Sequence, residues 1–143
     1  MKTKDFSVLN IPFNSLIRLE KSDKSPYLFK IHQHQGVLNH LDTFHAGVLF
    51  SLAESTSGQY LSEEYGPTDK EIIPVIRKAE IKYSRPGNGT VYSSATILEP
   101  TIEEIREQLN TRGRVLVKVR SEVFDEQDRR LLTAVFDWFV TCL

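Results

Sequence analysis

The sequence predicts an α+β domain in which one long central helix is wrapped by an antiparallel sheet, and three observations carry that prediction. Ala46 to Leu61 is apolar or small nearly all round, with Val48, Leu49, Phe50, Leu52, Ala53, Tyr60 and Leu61 set among Ser51, Ser55, Ser57 and Gly58. Such a segment reads as a buried helix, because a surface helix keeps one polar face. Residues 114–124 alternate, Val115, Val117, Val119 and Val123 to one side and Lys118, Arg120 and Glu122 to the other, as a half-buried strand does. The strands follow the helix in a run instead of alternating with helices, which argues against a parallel βαβ fold. With 143 residues, 40% hydrophobic and 26% charged, the chain suits a single domain over 1–143.

The other elements fall in order. Ile11, Phe13, Leu16 and Ile17 mark a short helix or turn within 10–18, and Pro12 suits its first turn. Residues 27–33 read as a first strand, and 36–44, with Gly36, Asn39 and Asp42, as a loop. Gly66-Pro67 ends the helical section. Residues 73–84 read as a strand with Val75, Ala79, Ile81 and Tyr83 on one face. Pro86-Gly87-Asn88-Gly89 is a turn signal, and 90–98 is the next strand. Thr101-Ile102-Glu103-Glu104 is a capping box, Ile102, Ile105 and Leu109 form an apolar stripe, and Gly113 stops that helix. The chain turns at Asp125 to Asp128, and 131–141 is the last strand, with Phe136 and Trp138 on one face.

Composition excludes some functions. Net charge is −1 with Lys and Arg dispersed, so neither a nucleic-acid nor a membrane-surface partner is expected. A single cysteine, Cys142, allows no intrachain disulfide and suits a reducing compartment. No apolar core follows Met1–Asp5, since Asn10, Pro12 and Asn14 interrupt it, so no signal peptide is read. No stretch approaches the roughly 20 apolar residues of a membrane span, and a cytoplasmic protein is expected.

Three features bear on chemistry. Glu54 is the only charge among the sixteen residues from Ala46 to Leu61. A carboxylate placed there pairs, shifts its pKa upward, or lines a cavity. It is either a structural partner of a base such as Arg77, or a general base or nucleophile. The approach to the helix, Asn39-His40-Leu41-Asp42-Thr43-Phe44-His45-Ala46-Gly47, offers free N–H groups at a positive dipole end. Gly47 leaves room for a carbonyl to approach them, as an oxyanion hole requires, or it serves packing alone. All four histidines, His32, His34, His40 and His45, lie within fourteen residues, but they show no metal-ligand spacing. They read as surface histidines, with His45 at the helix start, and no metal is expected.

The run His45-Ala46-Gly47-Val48-Leu49-Phe50-Ser51-Leu52-Ala53-Glu54, with Asn39 upstream and Ala79-Glu80-Ile81-Lys82-Tyr83-Ser84-Arg85-Pro86 downstream, resembles the hotdog-fold acyl-CoA thioesterases of the phenylacetic-acid-pathway (PaaI-like) type. The resemblance covers nearly the whole chain. It implies that Glu54 is the catalytic carboxylate, that Asn39 positions water or the thioester, and that the N–H of Ala46 or Gly47 is the oxyanion donor. Many relatives read His-Gly-Gly where this chain has His45-Ala46-Gly47. Some carry a catalytic Ser or Thr on the strand after the helix, where this chain has Val75, Ile76 and Arg77.

The expected function is hydrolysis of an acyl-CoA or acyl-carrier thioester, with CoA as substrate and no cofactor. Glu54, Asn39, Ala46 and Gly47 form the catalytic set. His45, Arg77, Lys82 and Arg85 form the substrate-binding set, with Arg85 and Lys82 directed to the CoA phosphates and Arg77 to Glu54 or a phosphate. The rivals are a dehydratase of the same fold using His40 with Glu54, and a non-catalytic thioester-binding module. Glu54 lies eight residues beyond Ala46, about 12 Å along the helix axis, too far for one thioester carbon to meet both. Two antiparallel helices about a two-fold axis solve this, so a homodimer or a dimer of dimers with shared sites is expected.

Overall fold

A computed structural model of the chain describes residues 7–66 and 71–143. The helices are α1 (Pro12–Leu16), α2 (Ala46–Tyr65) and α3 (Ile102–Arg112). The strands are β1 (Glu20–Lys21), β2 (Phe29–His32), β3 (Ile72–Tyr83), β4 (Thr90–Glu99), β5 (Arg114–Phe124) and β6 (Arg130–Cys142). All pairings are antiparallel, and the spatial order is β1-β2-β4-β5-β6-β3. Met1–Asp5 and Pro67 lie outside the described residues. Among the described residues no helix is long and apolar enough to cross a membrane.

The sheet curls around α2, and its alternation explains why. Val115, Val117, Val119 and Val123 of β5 meet Leu132, Ala134, Phe136, Trp138 and Val140 of β6, every one buried. Leu49, Leu52, Ala53 and Leu61 of α2 close the core from above. The hydroxyls inside are satisfied: Thr56 donates to the Leu52 carbonyl at 2.7 Å and pairs with Ser93. Each buried polar group left unpaired would cost about 1–3 kcal/mol. The helix runs four residues beyond Leu61, to Tyr65, and Gly66 ends it at φ 73°. Thr101 caps α3 by accepting from the Glu104 N–H at 3.2 Å, and Gly113 closes it in the left-handed conformation.

Two expectations need correction. Ile76 faces Trp138 and Lys78 faces Asp137, so Arg77 is an extra, bulged residue in β3. The bulge reverses the side-chain parity. Ile72, Pro74 and Ile76 point inward before it, and Ala79, Ile81 and Tyr83 after it, as their pairing with the inward residues of β6 shows. Val75 is therefore on the opposite face from Ala79 and Ile81, and it is exposed. The Pro86–Gly89 segment is not a hairpin turn. β3 pairs with β6 while β4 pairs with β2 and β5, so 84–89 crosses the end of the sheet from one edge strand to an interior one. It is held on the way, with Ser84 N–H donating to Leu131 O at 2.8 Å and Gly87 O accepting from Phe44 N–H at 3.0 Å. A Cβ at Gly87 would come within 2.6 Å of Leu131, so glycine is what lets the crossing lie this close.

Candidate active site

The approach to α2 is built by Asn39. Its side-chain oxygen accepts from the Leu41 N–H (2.9 Å) and the Thr43 N–H (3.1 Å), while its amide donates to Thr43 Oγ1 (2.9 Å). An asparagine at a loop start satisfies its own turn in this way. Asn39 thus holds the loop that positions the helix start. His45 follows as N-cap, its N–H donating to Val37 O at 2.8 Å. Its Nδ1 accepts from the Gly47 N–H at 2.8 Å. A Cβ on Gly47 would lie 3.0 Å from the His45 ring, so glycine leaves the space the imidazole occupies. Of the two amides considered as oxyanion donors, Gly47 is taken by His45. Ala46 is exposed, and its N–H has no acceptor among the described residues. The Ala46 carbonyl accepts from the Tyr83 hydroxyl at 3.0 Å, which ties the end of β3 to the helix start.

Glu54 lies two turns on, half-buried. Its carboxylate makes no hydrogen bond or ion pair among the described residues. Burial raises its pKa above the ordinary glutamate value, and no cation counters the rise. Arg77 is not its partner. From the bulge, its guanidinium lies 3.7 Å over the Phe139 ring on the outer face of the sheet, away from α2. Glu54 borders a pocket of about 310 Å³ lined by Val8, Gly58, Pro74, Ile76 and Trp138. A larger depression of about 670 Å³ near Tyr60, Glu99 and Gln108 contains none of the predicted site residues. A partly desolvated, unpaired carboxylate beside an apolar pocket is a strong base and nucleophile toward an uncharged carbonyl compound.

The remaining candidates separate. Lys82 and Arg85 are exposed, without ion-pair partners among the described residues, at the end of the molecule where Tyr83 meets Ala46. His32 bonds Thr90 Oγ1 at 2.8 Å, His34 bonds the Ile17 carbonyl at 3.3 Å, and His40 is exposed in the loop. Among the described residues no three metal-ligating side chains cluster. The single protomer does not bring the predicted groups together. Ala46 and Glu54 are about 12 Å apart on one helix axis, and of the residues between them on that side Gly47 is exposed while Phe50 and Ser51 are half-buried.

Sequence reasoning missed Tyr83, Val8, Gly58 and Trp138 as site residues. Tyr83 and Trp138 were legible only as inward strand positions, and nothing local shows what they touch. A glycine inside a helix is a signal, since it costs about 1 kcal/mol against alanine and needs a packing reason. Here that reason is Trp138.

Comparison with solved structures places the fold. A Pseudomonas aeruginosa protein described as a probable thioesterase is 20% identical, with a TM-score of 0.75 over 99% of this chain and 91% of that one. A Haemophilus influenzae thioesterase is 16% identical, TM-score 0.72, covering 99% and 95%. A Bacillus halodurans protein solved with CoA is 19% identical, TM-score 0.69, covering 90% and 77%. No curated protein matches the chain in sequence. The family model for "Domain of unknown function (DUF4442)" matches residues 16–140. The chain has the hotdog fold and belongs to the DUF4442 family.

Proposed function

We propose that the protein hydrolyses an acyl thioester of CoA or a carrier, working as a homodimer whose sites are shared between subunits. The observation that carries this reading is Glu54, a half-buried carboxylate without a partner among the described residues, beside an apolar pocket. The Ala46 N–H of one chain holds the thioester oxygen, and Glu54 of the partner subunit takes a proton from the attacking water or attacks the carbonyl itself. The C–S bond then breaks, and the departing thiolate takes up a proton. In the nucleophilic route water opens the resulting anhydride. Asn39 and His45 keep the donor amide in place, and Arg85 and Lys82 reach the phosphate end of CoA. The thioesterase descriptions of the Pseudomonas and Haemophilus structures and the CoA in the Bacillus one support this substrate class.

The test is CoA release over a panel of acyl-CoAs by wild type and Glu54→Gln. The variant keeps the size and removes the charge, and turnover should fall at least about 10²-fold with the fold intact. Unchanged turnover would sink the assignment of Glu54. Binding without release by the wild type would mean a non-catalytic module, and an enoyl product would mean a dehydratase.

A further inference from the structure

The pocket beside Glu54 has walls that are fixed on both sides. The indole of Trp138 is buried, and its Nε1 donates to Ser57 Oγ at 3.0 Å. Its ring edge bears on Gly58, where a Cβ would lie 3.2 Å from Cζ2 and 3.3 Å from Cη2. Gly58 follows Glu54 by one turn, about 6 Å along the axis. Opposite, the Val8 N–H donates to Gln59 Oε1 at 3.1 Å and the Val8 carbonyl accepts from Asn14 at 2.9 Å, so the N-terminal wall is fastened to α2 and α1. Ile11, Pro74, Val75 and Ile76 complete an apolar lining in which Glu54 and Ser55 are the polar side chains. Trp138 is bonded to the helix it packs on, so the wall does not yield the way a loose surface side chain would.

Building on the hydrolysis reading, we infer that the pocket is the acyl site and that Trp138 against Gly58 is the stop that sets chain length. The volume of about 310 Å³ holds roughly ten heavy atoms, at about 30 Å³ each, the share of one water in the liquid. The substrates are then thioesters of apolar acyl groups of up to about ten carbons, straight or aromatic, and long-chain acyl groups are excluded. Trp138 and Gly58 are specificity-determining residues on this view. Glu54 at the edge of the pocket places the carbonyl at its mouth.

The experiment measures binding and turnover separately. S-alkyl-CoA thioethers, which cannot be hydrolysed, are titrated by calorimetry from ethyl through octyl to hexadecyl, and the matching acyl-CoAs are assayed for CoA release. Wild-type affinity should rise to about octyl and fall at least about ten-fold at hexadecyl, since a chain that cannot be seated is penalised by roughly that factor per misfitting methylene. Trp138→Phe shortens the wall and should move the optimum to longer chains. Gly58→Ala adds a methyl to it, 3.2 Å from the Trp138 ring, and should move the optimum to shorter ones, with thermal melting of both variants showing that they are folded. Hexadecyl thioether binding as tight as octyl, or an unshifted length profile in both folded variants, overturns the inference. A length cut-off in binding with no acyl-CoA hydrolysed leaves the acyl site standing and removes the hydrolysis reading. Hydrolysis with no length preference does the reverse.

Discussion

Ala46→Pro deletes the one amide on which the oxyanion assignment rests while leaving the fold nearly untouched. His45 is the N-cap of α2, so Ala46 is its first helical residue. Proline is best tolerated at that position, because its fixed φ suits the helix and the N–H it lacks has no intrahelical partner. His45 has φ −60° and ψ 136°, the extended conformation favoured before proline. Ala46 is exposed, and its carbonyl bond to Tyr83 does not depend on the N–H. Stability should stay within about 0.5 kcal/mol of wild type, as for a surface substitution. Gly47 cannot substitute as donor while His45 Nδ1 holds its amide. Loss of one oxyanion donor costs about 10²–10³ in kcat, or about 2.7–4 kcal/mol. Ala46→Ser, which keeps the N–H, should retain wild-type kcat. The assay is steady-state CoA release, with thioether affinity measured beside it to separate a blocked site from a lost donor. A folded Ala46→Pro enzyme with wild-type kcat refutes the assignment. The same variant tests the shared site. Random exchange of Ala46→Pro with Glu54→Gln chains makes half the dimers mixed, each with one intact site of two, so about a quarter of wild-type activity should return. If mixed dimers form by native mass spectrometry and stay inactive, both groups serve one site in a single chain.

Other outcomes stem from the same geometry. Burial raises the pKa of Glu54, so its contribution to stability is fully present below the unfolded value near 4.5 and is lost as pH rises through the folded value. Glu54→Gln should therefore raise Tm at neutral pH, with the gain shrinking toward zero in acid, and a pH-independent difference would contradict an ionisable, desolvated Glu54. For the same reason turnover should rise with pH through a midpoint above the ordinary glutamate range. Asn39→Ala should lower stability by about 0.5–1.5 kcal/mol in urea unfolding, the net worth of an ordinary hydrogen bond, because the Leu41 and Thr43 N–H groups exchange their acceptor for water. An unmoved midpoint would mean that Asn39 serves chemistry more than the loop. Arg85→Ala should raise KM about ten-fold on an acyl-CoA, the scale of one charge-assisted contact, and leave the matching acyl-pantetheine unchanged. An equal effect on both would rule out a phosphate contact.

Much of the fold is legible in the sequence because it rests on patterns that tertiary structure reinforces. The all-round apolar character of Ala46 to Leu61 and the alternation of Val115 to Val123 each have one good burial solution. Glu54 stands out because a lone charge in such a helix needs a reason. What is illegible depends on partners far along the chain. The bulge at Arg77 has no local mark, since β3 mixes apolar and polar residues on both faces, and a one-residue offset there moves Val75 outward and takes Arg77 from Glu54 to Phe139. The turn chemistry of Pro86 to Gly89 does mark a change of direction, but turn residues do not say which strand comes next. The two-residue β1 is too short to show any period. At the helix start, sequence places the right residues together but not the bond from Gly47 to His45 that decides between the two amides.

The two edges of the sheet differ in a way that bears on assembly. One ends in β1, two residues long, while the other ends in β3, twelve residues long. A long edge presents a row of backbone groups able to template another strand, and proteins blunt such edges with lysine, proline or a bulge. β3 has Pro74, Lys78, Lys82 and the Arg77 bulge, yet Ile73 and Val75 remain exposed beside them. An edge of this length is safe when a second chain occupies it, which ties folding to mass action. The melting temperature should then climb with protein concentration, and a charge placed at Val75, which blunts the edge, should weaken self-association and flatten that dependence.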